Sequence, residues 1–175
     1  HICNTLPREP EEDKLGHYLR CCEALGVPGI RRQIDQMLAV DYLIANEDRH
    51  WGKFGALRDA NTLEWLGPAP IFDSGTSLWH DHLFRGGGPG DEGPCKPFTS
   101  RHSEQIRLVE SFDWLDPGRL SGMEKQLREV LASAPDFMDE ERAEILCDAF
   151  ASRLHLLREH VLELEQQGPS HRMDY

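Results

Sequence analysis

The chain has no apolar run approaching the ~20 residues that a membrane-spanning helix needs, and its mean hydropathy is −0.56, so no membrane partner is expected. It is poor in basic residues, with 19 Lys and Arg against 31 Asp and Glu over 175 residues and a formal net charge of −12. A field of that sign repels phosphate backbones at long range. The densest basic cluster is the dipeptide Arg31-Arg32, so direct nucleic-acid binding is not expected. The five cysteines (Cys3, Cys21, Cys22, Cys95, Cys147) are odd in number and lack Cys-x-x-Cys spacing. That pattern speaks against a disulfide framework and for free thiols in a reducing, cytoplasmic setting. Neither a signal segment nor an initiator methionine opens the sequence, and the expectation is a chain processed or cut from something longer.

What is present fits one domain, since a chain of this length is a single usual domain and buries about 70% of its unfolded surface without staples. Residues 1–11, with two prolines and no periodicity, read as an extended lead-in. Leu15, Tyr18, Leu19, Cys22 and Leu25 recur at three and four and predict a helix over 12–25, stopped by Gly26. A second helix is predicted from near Pro28 to Asn46, its last turns apolar nearly all round and therefore buried. It delivers the polar run Asn46-Glu47-Asp48-Arg49-His50.

The runs 54–57 and 63–66 flank a polar turn and predict a β-hairpin, and Pro70-Ile71-Phe72 reads as a short strand ending at Asp73-Ser74-Gly75. Residues 80–102, rich in glycine, read as a long mobile loop. Asp116-Pro117 predicts a helix start, with Leu120, Met123, Leu127, Val130 and Leu131 as its stripe. A last helix over 139–167 carries Leu146, Phe150, Leu154, Leu157, Val161 and Leu164, and Gly168-Pro169 ends it. The fold class is mainly α with a small β-hairpin, arranged as lead-in 1–11, body 12–167 and tail 168–175.

The chemistry concentrates between Asn46 and Gly75. Asp48 follows a buried helix, a hairpin turns the chain back, and Asp73 follows a short apolar segment. Two carboxylates converging on a rigid scaffold are what phosphoryl transfer needs, one holding Mg²⁺ against nucleotide phosphates and the other accepting a hydrogen bond from the attacking hydroxyl.

The segments Tyr42-Leu43-Ile44-Ala45-Asn46-Glu47-Asp48-Arg49-His50, Phe54-Gly55 and Ala69-Pro70-Ile71-Phe72-Asp73-Ser74-Gly75-Thr76-Ser77-Leu78-Trp79 resemble the C-terminal lobe of the HipA-like serine/threonine kinases. The resemblance spans Leu15 to about Glu163. It implies a protein-kinase-like C-lobe with its N-lobe absent, ATP and Mg²⁺ as cofactors, and a protein substrate. It implies further a bacterial cytoplasmic setting and a toxin role with a DNA-binding antitoxin as partner. By the same resemblance Asp48 matches the catalytic base, His50 the loop histidine, and Asp73 the metal-binding aspartate.

Two departures follow. Lys53 stands five residues after Asp48, where the family has a metal-binding Asn. A cation there cannot coordinate Mg²⁺; it either pairs with Asp48 or Asp73 and impairs both, or touches the γ-phosphate in place of a second metal. No Gly-rich phosphate loop or strand lysine precedes Asn46, and the triple glycine 86–88 lies after Asp73. The second function kept open is therefore a catalytically impaired pseudokinase acting as an interaction module, with an exposed apolar patch where the N-lobe would dock or where the chain would self-associate.

Other residues carry structural expectations. His50 orders its loop, Asn46 caps the helix end, and the four tryptophans (Trp51, Trp65, Trp79, Trp114) pack in the core or against a lobe. His80 and His82 form a surface pair, which leaves metal-dependent hydrolysis through them and His50 as the remotest option. Asp41, on an apolar stripe, is expected to bond into the catalytic loop, to an Arg or across helices. Cys21 is paired with Cys22 as one buried and one half-buried thiol.

Overall fold

In a computed structural model, residues 1–80, 93–136 and 138–167 are described. The Gly-rich stretch 86–90, His82 and the tail 168–175 lie outside the described residues. Helix α1 (Lys14–Ala24) opens at Asp13, whose side chain accepts from the Gly16 amide at 2.7 Å, satisfying one donor that a helix start leaves unpaired. It closes at Gly26 (φ +72°), where Gly26 N–H donates to Glu23 and Val27 N–H to Cys22, a left-handed cap that glycine adopts without steric cost. Asp13→Ala is expected to lower stability by about 1 kcal/mol in urea unfolding with an unchanged slope; a loss below a few tenths would show that the cap contributes nothing.

Helix α2 (Ile30–Leu43) ends in the same motif with an alanine at its left-handed position. Ala45 (φ +50°) donates to Tyr42 and Asn46 to Asp41. The helix is shorter than the periodicity to Asn46 predicts, because this turn takes residues 44–46 out of it and swings Asn46 inward. The hairpin consists of β1 (Ala56–Arg58) and β2 (Trp65–Pro68), antiparallel with Leu57 opposite Gly67 and a bulge between Leu57 and Arg58. Asp59 closes its loop by accepting from the Asn61 and Thr62 amides, both at 2.8 Å. The segment Pro70-Ile71-Phe72 is not a strand as expected; its neighbour Ala69 is instead tied by its N–H to Gly55 C=O and by its C=O to the Gln33 amide.

After the short helix α3 (His102–Gln105), Asp116 caps only a 3-10 turn, Pro117–Leu120. Gly122 (φ +79°) breaks the chain before α4 (Met123–Ala132), so the helix predicted from Asp116 is two pieces. Val130 is exposed rather than part of the buried stripe. Helix α5 (Glu140–Gln167) runs as predicted, with Leu146, Phe150, Leu154, Leu157 and Val161 all buried.

The main core joins α1, α2 and α5 through Leu15, Tyr18, Ile34, Met37, Leu38, Leu154 and Leu157, with Phe98, Ile106 and Phe112 packed from the connecting segments. A second cluster gathers Ala45, Trp79, Leu131, Leu146 and Cys147 beneath the end of α2. Both Cys21 and Cys22 are fully buried, against the expectation of one half-buried thiol, because residues 1–7 fold back over α1. The lead-in is not extended throughout: it forms a 3-10 turn, Ile2–Asn4, and presents Leu6 C=O to His17 and Pro7 C=O to Arg20.

Candidate active site

The floor of the site is one buried ion pair. Asp41 and Arg49 are both 0% exposed, and Arg49 uses all five of its N–H donors. Nε and Nη2 grip the two Asp41 oxygens at 2.7 Å each. Nη1 donates to Lys53 C=O at 3.0 Å and to Phe72 C=O, and Nη2 also reaches Ser74 Oγ at 3.1 Å. A single guanidinium thus fastens α2, the 48–53 loop and the 72–74 segment to one another, which places Asp48 and Asp73 on the same face.

Asn46, also buried, stitches the same elements from the side. Its Nδ2 donates to Asp41 at 2.9 Å, and its Oδ1 accepts from the Asp48 amide and from Thr76 Oγ1. Its side chain therefore does not cap the helix end as expected; the Asn46 backbone N–H does that, donating to Asp41 C=O. The chain from 74 to 79 is strapped down by Glu47 N–H to Thr76 C=O and Leu78 N–H to Ile44 C=O. Asp73, Leu78 and Trp79 all take positive φ, at 54°, 53° and 51°, a conformation that costs non-glycine residues roughly 1–2 kcal/mol each and is retained where surrounding structure enforces it. Trp79 is buried in the second cluster, with the Arg153 guanidinium 5.3 Å from its ring.

On this floor Lys53 Nζ lies 3.0 Å from Asp48 Oδ2 and 3.3 Å from Asp73 Oδ2. Lys96 Nζ approaches the other Asp48 oxygen, Oδ1, at 2.6 Å. Lys96 first and Lys53 second hold the Asp48 carboxyl down to about 2. The two acids in turn raise the Lys53 ammonium above its ordinary value, Asp48 most strongly. His50 is half exposed, with Nε2 3.9 Å from Asp48 Oδ2 and Nδ1 accepting from the Gly52 amide at 3.1 Å. It orders the loop as expected and sits at the rim of the cluster.

Among the described residues no group of three or more His, Cys, Asp and Glu could hold a metal by itself. Mg²⁺ is ordinarily held by one or two carboxylates together with nucleotide phosphates and waters. The Asp73 side chain is 51% exposed and meets Lys53 through Oδ2, so it fits as the single protein ligand of an Mg²⁺ arriving with phosphates. A second metal does not fit, because Lys53 presents three donors and no acceptor.

Three participants were not singled out from sequence. Arg49 carried a signal, since an arginine in the loop after a helix bearing a stripe aspartate is a candidate partner for that aspartate. Thr76 lay within a quoted segment without a role. Lys96 had no signal, because it enters from 48 residues away, beyond the glycine-rich stretch. Of the tryptophans, Trp51 joins Tyr18, Phe54 and Phe98 in an aromatic cluster, Trp65 lies under Arg58, and Trp114 donates to Ser111 C=O. No helix among the described residues is long and apolar enough to cross a membrane.

No protein-family model, curated protein or solved structure matches the chain.

Proposed function

We propose that the chain is the C-terminal lobe of a HipA-like serine/threonine kinase and transfers the terminal phosphoryl group of ATP to a protein hydroxyl. The observation that carries this reading is the one ammonium, Lys53 Nζ, lying within 3.3 Å of both Asp48 and Asp73. Two acids separated by a hairpin meet at one cation-sized locus, as base and metal ligand must in phosphoryl transfer. Asp48, ionised throughout the physiological range, accepts the hydrogen bond of the attacking hydroxyl and orients it. Asp73 would hold Mg²⁺, which when bound with the nucleotide supplies charge neutralisation at the phosphate oxygens. Lys53 leaves the acids for the γ-phosphate and stabilises charge developing there. A protein substrate and an antitoxin partner come with this reading.

A second reading, the impaired pseudokinase, is favoured by one observation: both Asp48 oxygens carry an ammonium, which makes the carboxylate a poorer proton acceptor. Exposed Leu57, Leu63, Leu66 and Phe72 at the hairpin offer such a module an apolar surface. Calorimetry with Mg-ATP and radiolabel transfer to added protein separate the two. On the first reading the natural chain transfers label and Asp48→Asn lowers the rate at least about a hundredfold. A natural chain without transfer, from which Lys53→Asn creates activity, overturns it in favour of the second.

A further inference from the structure

The chain has four lysines, Lys14, Lys53, Lys96 and Lys125, and two of them converge on one carboxylate. Their ammoniums take different oxygens of Asp48, at 3.0 Å and 2.6 Å, so the carboxylate sits between them as a bound oxyanion would. The two lysines come from separate segments, each with an anchored backbone. Lys53 C=O is held by buried Arg49, and Lys96 C=O accepts from Gln105 Nε2 at 2.8 Å. Gln105 is itself buried, and its Oε1 accepts from the Phe98 and Thr99 amides. The Lys96 side chain, 55% exposed, and that of Asp48, 32% exposed, have room to exchange partners, whereas that of Lys53, 11% exposed, is held close to its place. In a chain of net charge −12, two ammoniums meet at one half-buried acid, with Asp73 also 3.3 Å from Lys53, so an incoming anion gains both ammoniums by displacing a carboxylate; lysine is a common point-charge ligand of phosphate.

We propose that Lys96 and Lys53 form a cradle for the terminal phosphate of a nucleoside triphosphate or of an inorganic polyphosphate, and that the Asp48 carboxylate occupies this cradle while no phosphate is bound. Phosphate entry displaces Asp48 from both ammoniums and frees it to face a hydroxyl. Only the naming of ATP as the physiological phosphate source rests on the kinase reading; the cradle itself rests on the lysine geometry. Lys96 is a binding residue in this scheme, and no covalent step is assigned to it.

The test is calorimetric titration of the full chain with inorganic tripolyphosphate and, separately, with ATP, both without divalent metal at fixed ionic strength. Losing one charge-assisted hydrogen bond corresponds to about tenfold or more in affinity. Lys96→Gln and Lys53→Asn are each expected to weaken tripolyphosphate binding by about that factor, while Asp48→Asn, which empties the cradle, tightens it several-fold. Lys125→Ala, at an exposed helix position, and Asp59→Asn, in the hairpin turn, leave it unchanged. Tighter binding of ATP than of tripolyphosphate identifies the nucleotide as the source; equal binding identifies the polyphosphate group alone. Lys96→Gln binding tripolyphosphate like the natural chain, or Asp48→Asn failing to bind it more tightly, overturns the proposal. Failure of the kinase reading is visible separately, as a chain whose cradle passes these tests but transfers no label.

Discussion

Replacing Arg49 by methionine is expected to remove about 3–5 kcal/mol of folding stability, a large part of the roughly 5–15 kcal/mol that a domain possesses. The cost arises less from the lost attraction than from what stays behind. Asp41 is 0% exposed and would keep, among the described residues, only the Asn46 amide as a partner, an uncompensated carboxylate in a medium that cannot solvate it. The carbonyls of Lys53 and Phe72 lose their donor at the same time, so the two acid-bearing segments come loose from α2 together. The companion experiment is Asp41→Leu with Arg49→Met, since replacing a buried pair by apolar side chains of similar volume is often neutral or stabilising. Urea unfolding should show the double variant recovering most of the loss, with tripolyphosphate binding still impaired because the 48–53 and 72–74 segments are no longer pinned. A loss below 1 kcal/mol in Arg49→Met would refute the role of this guanidinium as the anchor of the site.

The same residue explains how far the sequence can be read. Helix positions follow from periodicity because each helix buries one face, and α5 buries its predicted stripe from Leu146 to Val161, with Leu164 partly buried. The hairpin is legible because Asp59, Asn61 and Thr62 supply turn chemistry between two apolar runs. The left-handed Ala45 was not legible: a glycine there would have marked the end of α2, whereas alanine reads as more helix. Nor does Pro70-Ile71-Phe72 betray that the Phe72 carbonyl goes to the Arg49 side chain instead of a sheet. Asp41 stood out as an acid on an apolar stripe, and its partner proved to be Arg49, an arginine of the 48–53 loop. Lys96 could not be placed, since nothing local to Asp48 encodes a residue arriving from the far side of a long connection. What periodicity conveys is which face is buried; which polar groups meet across elements is decided by loop geometry, where pattern is weakest.

Acid should unfold this protein through a second buried group, His102. Its side chain is 1% exposed, its Nε2 has no hydrogen-bond partner among the described residues, and its ring meets the Tyr42 ring edge-on at 6.5 Å. The charged group facing it is Arg153, whose guanidinium lies 5.0 Å from the Tyr42 ring and donates to the Tyr42 carbonyl at 2.7 Å. Burial first and the Arg153 charge second push the His102 imidazole down to about 3. In the unfolded chain an imidazole takes up a proton near its ordinary value of about 6.5. Between those two values the unfolded state binds the extra proton, so stability is fully present above about pH 6.5 and falls as the pH drops. The limiting slope is about 1.4 kcal/mol per pH unit, and the total by pH 3 is on the order of 4 kcal/mol. Glu12 and Asp48, both held near 2 by their basic partners, contribute an acid loss of the same sign, but only once the pH nears the ordinary carboxylate range of about 4. Of these three groups, His102 is the one that acts in the window from pH 6 to 5. Urea unfolding across that window should show the natural chain losing stability with falling pH and His102→Phe, which keeps the ring and removes the titrating nitrogens, holding level. An unchanged slope in His102→Phe would mean that another group carries the proton, and that the packing of α3 against Arg153 is not what makes the fold acid-sensitive.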